Sequence, residues 1–179
     1  MTLANRITIL RIALIPVFVI LYLEQNHYEP LKNWTLAIFA FAIFTDLLDG
    51  LAARMRREKT PLGSFLDPLA DKLLLTASYI LFTYAGKIPL WVFVLVFSRD
   101  LIIVLGWTII FILTSSSFIE PRMLGKTCTF LQMSASIALL FPVPEMITPW
   151  LVRAMVIVTV ASAIDYMWVG SKRLEPIPK

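Results

Sequence analysis

Two residue types that carry much of protein chemistry are almost missing from this 179-residue chain: it has one cysteine, Cys128, and one histidine, His27. A single cysteine excludes an intramolecular disulfide, and inside an apolar stretch it reads as a small packing residue. His27 falls in a polar connector remote from the other candidate residues, so imidazole ligands play no part in a site. Charge is scarce too. Charged residues make up 16% of the chain and hydrophobic residues 59%, whereas soluble domains are about a quarter charged. With a mean hydropathy of +0.81, this excludes an ordinary soluble domain and puts the chain in the membrane class. No internal repeat or low-complexity tract is present. The net charge of +4 does not call for nucleic acid, because the basic residues follow the membrane instead.

What is there is a series of six apolar segments, over 7–23, 34–53, 65–85, 88–113, 126–141 and 148–169. Most approach the ~20 residues a helix needs to cross a ~30 Å hydrocarbon core, and the fifth is shorter. With a cytoplasmic N-terminus, the inside collects twelve of the 16 lysines and arginines and the outside only Lys32 and Lys87. Arg99 and Arg153 fall within apolar segments. This asymmetry is a strong positive-inside signal. The expected fold is therefore an all-α integral membrane protein, a single domain over 1–179 with six transmembrane helices and both termini cytoplasmic. No A-x-A-like cleavage site follows the first segment, so it is expected to remain as a helix rather than leave as a signal peptide. Residues 1–11, MTLANRITILR, mix apolar and basic positions. They are expected to form an interfacial segment before the first span turns inward.

The stretch TDLLDGLAARMRREKTPLGSFLDPLAD breaks the apolar pattern with four aspartates. At 3.6 residues per turn, Asp46, Asp49, Gly50 and Ala53 share one face at the end of the second segment. Asp67 and Asp71, four apart, share a face at the start of the third. The short connector between them makes the two helices antiparallel neighbours, bringing four carboxylates to one depth near the cytoplasmic surface. Unpaired, they would repel one another and resist ionisation. One or two divalent cations remove the conflict, and oxygen-only ligands favour a hard ion, Mg²⁺ or Mn²⁺. Gly50, Ala53 and Gly63 leave room for a ligand near the backbone, and Arg54 offers a fork suited to phosphate. Metals and arginine together suit a pyrophosphate and the charge that shifts as it is cleaved. Intramembrane ionisable residues mark functional sites by default.

The same stretch reads D-x2-D-G-x2-A-R-x8-G-x3-D-x3-D from Asp46 to Asp71 without a gap. It resembles the signature of the CDP-alcohol phosphotransferases. The resemblance implies a CDP-linked lipid donor, usually CDP-diacylglycerol, an alcohol acceptor whose hydroxyl attacks the lipid-side phosphorus, and CMP as leaving group. By position it implies Asp46, Asp49 and Asp67 as metal ligands, with Asp71 as general base and further ligand of what are usually two ions. It further implies that Asp46, Gly50, Ala53, Arg54, Gly63 and Asp67 hold CDP. Members of the family are commonly homodimers.

Within that family the first half is most similar to bacterial phosphatidylglycerophosphate synthases. Asn5, Thr8 and Arg11 give the N-x-x-T-x-x-R start, and DPLADKLLL follows their pattern. This implies glycerol 3-phosphate as acceptor and a bacterial inner membrane with the site facing the cytoplasm. An anionic acceptor needs cations, and Arg99, Lys126, Arg153 and Arg122 are available. The second half departs from the synthases at two places. Asp100 follows Arg99 where they carry glutamate, and Cys128 stands where they carry a second lysine. Both features are similar to the cardiolipin synthases, which transfer onto phosphatidylglycerol, and this is the alternative, with other alcohols such as inositol phosphate. A cation channel or transporter would place carboxylates nearer the bilayer midplane. The cytoplasmic edge favours the enzyme, and a purely structural protein has no need of the cluster.

Overall fold

A computed structural model of the chain describes residues 3–25, 27–56, 61–114, 123–141, 143–144 and 146–174, with side chains over 8–25, 27–45, 72–106, 123–141, 143–144 and 146–169. The described residues form six helices and no strand: α1 Leu3–Glu24, α2 Pro30–Arg56, α3 Pro61–Tyr84, α4 Leu90–Thr114, α5 Met123–Leu140 and α6 Ile147–Leu174. Prolines mark the starts. Pro30 and Pro61 open α2 and α3, where the missing N–H would have no intrahelical partner in any case. Pro16 lies inside α1, which continues through it. Two helices, Met123–Leu140 and Ile147–Val169, are long and apolar enough to cross a membrane, and Lys72–Tyr84 is a shorter apolar stretch.

Contacts divide the chain into two compact units: 1–87 with 139–142, and 88–138 with 143–179. In the first, α1 packs on both α2 and α3. Its buried residues are Thr8, Arg11, Phe18 and Tyr22, a stripe stepping by three, seven and four. Phe18 meets Phe39 of α2 with ring centres 5.4 Å apart, and Tyr22 meets Phe82 of α3 at 5.8 Å. The outside of the stripe is apolar: Ile9 and Leu10 are exposed while Thr8 and Arg11 are wholly buried. Polar side chains turn inward and apolar ones outward, the arrangement a lipid solvent selects. Ile20, Trp34 and Ile157 are likewise more than half exposed.

Among the described residues no break sets the segment expected to be interfacial apart from the first span. From Leu3 onward it is the beginning of α1. The reason is the three-residue step from Thr8 to Arg11, which sets both on the stripe that continues to Phe18 and buries them.

α3 ends in a tight reversal. Gly86 takes a left-handed φ of 69°, which costs glycine nothing. The Lys87 amide donates to Phe82 O at 2.9 Å and the Gly86 amide to Thr83 O at 3.0 Å, the paired bonds of a Schellman cap. That turn delivers Lys87, whose Nζ donates to Leu139 O at 2.6 Å and lies 5.6 Å from the Tyr22 ring centre. Leu139 O is among the last carbonyls of α5, which have no intrahelical donor and favour a cation.

In the second unit α4 packs on α6. α4 buries Val92, Val96, Arg99 and Asp100, and α6 buries Met155, Thr159 and Ser162. Cys128 of α5 is wholly buried, with Sγ hydrogen-bonded to Thr159 Oγ1 at 3.4 Å. α5 buries Cys128, Gln132, Ala135 and Ser136.

Phe39 and Phe41 sit two residues apart on α2, one wholly buried and one 49% exposed. Truncating a buried phenylalanine in a soluble core costs about 3–5 kcal/mol. In lipid only the packing part of that survives, so about 2 kcal/mol is expected. Phe39→Ala should lower the thermal midpoint in detergent by about 4–8 °C and Phe41→Ala by much less. Equal shifts would contradict the packing described.

Candidate functional site

The first candidate group lies on α2 and α3. α2 runs unbroken through Asp46, Asp49, Gly50, Ala53 and Arg54, and α3 through Gly63, Asp67 and Asp71. The side chains of these residues lie outside the described ones. The helix register can still be followed. The buried stripe of α2, Thr35, Phe39 and Ala42, steps by four and three, and the same steps lead to positions 46, 49 and 53. The stripe of α3, Phe82, Ser78 and Leu75, leads backward by four to 71 and 67.

Ring contacts supply a ruler for depth. Short connectors make α1 antiparallel to α2 and parallel to α3. Seven residues down from the Phe18–Phe39 contact are Arg11 and Asp46. Eleven residues down from the Tyr22–Phe82 contact are Arg11 and Asp71. The backbones of Arg11, Asp46 and Asp71 thus share one level. Arg11 is wholly buried. The sequence shows it only as an inside-positive residue and as part of the N-x-x-T-x-x-R start. Its three-residue step from Thr8 was the available signal for burial.

The second group lies within the other unit and is described to the atom. Arg99 is 4% exposed. Its Nη1 donates to Asp100 Oδ1 at 2.7 Å and its Nη2 to Ser162 Oγ at 2.7 Å. The Tyr166 ring centre lies 5.7 Å from Arg99 Cζ. Gly125, in the first turn of α5, completes the enclosure. A Cβ built there would stand 2.9 Å from the Tyr166 hydroxyl and 3.5 Å from Arg99 Nη2. Arg99 Nε is buried and makes no hydrogen bond. Adjacent helical residues ordinarily face different directions, so the Arg99–Asp100 pair depends on the long arginine folding back beside its neighbour. Ser162 and Tyr166, four apart on α6, did not emerge from the sequence. Their signal was the continuation of Met155 and Thr159 on one helical face.

The remaining acceptor candidates are not gathered here. Lys126 follows Gly125 but is exposed. Arg153 is exposed, with its guanidinium 5.3 Å from the Trp150 ring centre. It lies nine residues before Ser162, about 13 Å along α6 at ~1.5 Å per residue. Arg122 lies outside the described residues. Among the described residues no cluster of histidine, cysteine, aspartate or glutamate could hold a metal; the four aspartates expected to do so are not among the described side chains.

The four aspartates thus stand on α2 and α3, both of which pack on α1. The family model for CDP-alcohol phosphatidyltransferase matches residues 1–167. A probable phosphatidylglycerophosphate synthase of Mycobacterium tuberculosis is 33% identical over 170 residues, covering 92% of this chain and 79% of that one. A CDP-diacylglycerol–glycerol-3-phosphate 3-phosphatidyltransferase of Bacillus subtilis is 36% identical over 148 residues, 77% of this chain and 76% of that one. A cardiolipin synthase (CMP-forming) of Rattus norvegicus is 40% identical over 126 residues, 70% of this chain and 39% of that one. The chain belongs to the CDP-alcohol phosphatidyltransferase family. It is a phospholipid-biosynthetic transferase that works from a CDP-alcohol, and its family is membrane-associated.

The burial difference ranks the cations. Arg99→Gln should raise KM for an anionic acceptor more than Arg153→Gln does, since an exposed cation–π contact contributes only about 0.5–1 kcal/mol. Steady-state kinetics of the two variants with the acceptor varied checks the order, and the reverse order would overturn it.

Proposed function

We propose that the chain transfers the phosphatidyl group from CDP-diacylglycerol to glycerol 3-phosphate, giving phosphatidylglycerophosphate and CMP. The observation that carries this reading is the match over about three quarters of both chains to the Bacillus subtilis protein of that name. The work is done as a single domain at the cytoplasmic face of a bacterial inner membrane, by six spanning helices, as a homodimer. The inward-polar, outward-apolar pattern of α1 supports the membrane part of the reading, as do the two helices long enough to cross.

Asp46, Asp49, Asp67 and Asp71 hold two Mg²⁺ or Mn²⁺ ions. The fit rests on a donor set of oxygen alone, on the register that carries all four positions along the buried stripes, and on the shared level of Asp46 and Asp71. A wholly buried Arg11 at that level is a counter-charge available to carboxylates on α2 and α3. When bound, the ions neutralise pyrophosphate oxygens and stabilise the charge passing to CMP. Gly50, Ala53 and Gly63 leave space for the nucleotide, and Arg54 takes a phosphate oxygen bidentately. Asp46 and Asp67 also border the CDP. Asp71 accepts the proton of the acceptor hydroxyl as its oxygen bonds to the lipid-side phosphorus and the bond to the CMP oxygen breaks. Arg99 binds the acceptor phosphate, with Lys126 next to it in rank and Arg122 and Arg153 after.

A second reading has its own support. Where glycerol-phosphate-using relatives carry a second lysine, Cys128 is wholly buried against Thr159, so this position presents no cation. A single lipid phosphodiester, as in phosphatidylglycerol, has less charge to neutralise than a phosphate monoester. Transfer onto phosphatidylglycerol, giving cardiolipin, is therefore the alternative, in keeping with the similarity to the rat enzyme.

Purified protein given CDP-diacylglycerol, Mg²⁺ and a panel of acceptors should make phosphatidylglycerophosphate from glycerol 3-phosphate. Cardiolipin as the sole product would establish the alternative. In the same assay Asp49→Ala should abolish CMP release with every acceptor, and retained turnover would remove the metal assignment. Asp71→Asn should lower kcat by about 10²–10⁴-fold, the usual contribution of a positioned base, with little change in KM for CDP-diacylglycerol.

A further inference from the structure

The guanidinium of Arg99 is held on more sides than a structural ion pair needs. Asp100 fixes Nη1 and Ser162 fixes Nη2, so the plane of the group cannot rotate. Tyr166 lies beside its face. What permits this is a missing side chain: the Tyr166 hydroxyl occupies space that a Cβ at position 125 would enter to 2.9 Å. After these contacts Nε is the guanidinium nitrogen left without a hydrogen bond, and it is buried. A guanidinium anchored through both outer nitrogens holds its remaining N–H groups in fixed directions.

We propose that Gly125 and Tyr166 are positioning residues for acceptor binding: the bare backbone of Gly125 lets Tyr166 close on Arg99, and this fixes the orientation in which the guanidinium meets a phosphate oxygen of the acceptor. This rests on the acceptor-binding reading of Arg99. The chemistry is that of a phosphate oxygen, whether from the monoester of glycerol 3-phosphate or the diester of phosphatidylglycerol. Gly125 thereby has a role distinct from that of its neighbour Lys126. The glycine shapes the site, and the lysine beside it is exposed.

The test is a rescue. Alanine is the better helix former, so a helix-propensity effect at position 125 would favour Gly125→Ala. Instead Gly125→Ala should raise KM for the acceptor about tenfold, within the ~10²-fold that an ångström of misplacement costs. KM for CDP-diacylglycerol should stay within about twofold, as expected when only acceptor binding is touched. The nearest clashing atom is the Tyr166 hydroxyl, and the next are 3.4 Å and 3.5 Å away. Gly125→Ala with Tyr166→Phe should therefore recover most of the loss, the coupling expected of touching residues. Glycerol 3-phosphate and phosphatidylglycerol are run as separate arms, so the proposal is tested with whichever the wild type uses. An unchanged acceptor KM in Gly125→Ala, or no recovery in the double variant, would overturn it. If Gly125→Ala does not fold, Tyr166→Ala alone should give the same selective rise, and a wild-type KM there would overturn the proposal equally. A wild type that uses neither phosphate-bearing acceptor would instead refute the acceptor reading beneath it, a result distinct from a change in the variants.

Discussion

Arg99 carries a permanent charge into an otherwise apolar helix, and the second unit is arranged around that fact. A buried cation left alone costs far more than packing can return, and a lone hydrogen bond does not repair it. Asp100 supplies the opposite charge from the next residue. Ser162 supplies a hydroxyl from α6, which limits how α6 can turn about its own axis. Tyr166, one turn further, then falls beside the guanidinium. α5 can approach only where its backbone is bare, at Gly125, and it continues with Cys128 against Thr159. Three helices are thus fixed by the needs of one side chain.

The first unit follows the same rule with different chemistry. Aromatic rings join α1 to α2 and α3, while Thr8 and Arg11 are buried at the other end of the α1 stripe. The backbones of Asp46 on α2 and Asp71 on α3 stand at the level of this buried arginine.

Much of this was legible in the residues. The six apolar segments correspond one to one with α1–α6, and the spacing of Asp46, Asp49, Asp67 and Asp71 pointed to the family that the relatives bear out. Helix ends were less legible. α2 begins at Pro30 and ends at Arg56, beyond the apolar 34–53, because a hydropathy pattern follows the lipid and not the polar turns that extend past it. The inward polar face was hardest to see. In water an amphipathic helix hides its apolar side. Here the outer side is apolar as well, so periodicity fades: Thr8 and Arg11 showed only as part of a motif and not as buried, and Ser162 and Tyr166 did not stand out. The partners that Arg99 finds on α6, Ser162 and Tyr166, lie 63 and 67 residues further along the chain, and no local pattern joins them to it.

The hydroxyls of these helices have a consequence for biogenesis. Thr35 donates to Leu31 O, Ser78 to Leu74 O, Thr129 to Gly125 O and Thr159 to Met155 O, each at 2.7–3.2 Å within its own helix. Such groups need no neighbour to be satisfied in hydrocarbon. Asp100 gives α4 the same independence, since the arginine brings its counter-ion on the same helix. α4 is therefore electrically neutral at its most polar point before α5 and α6 have been synthesised.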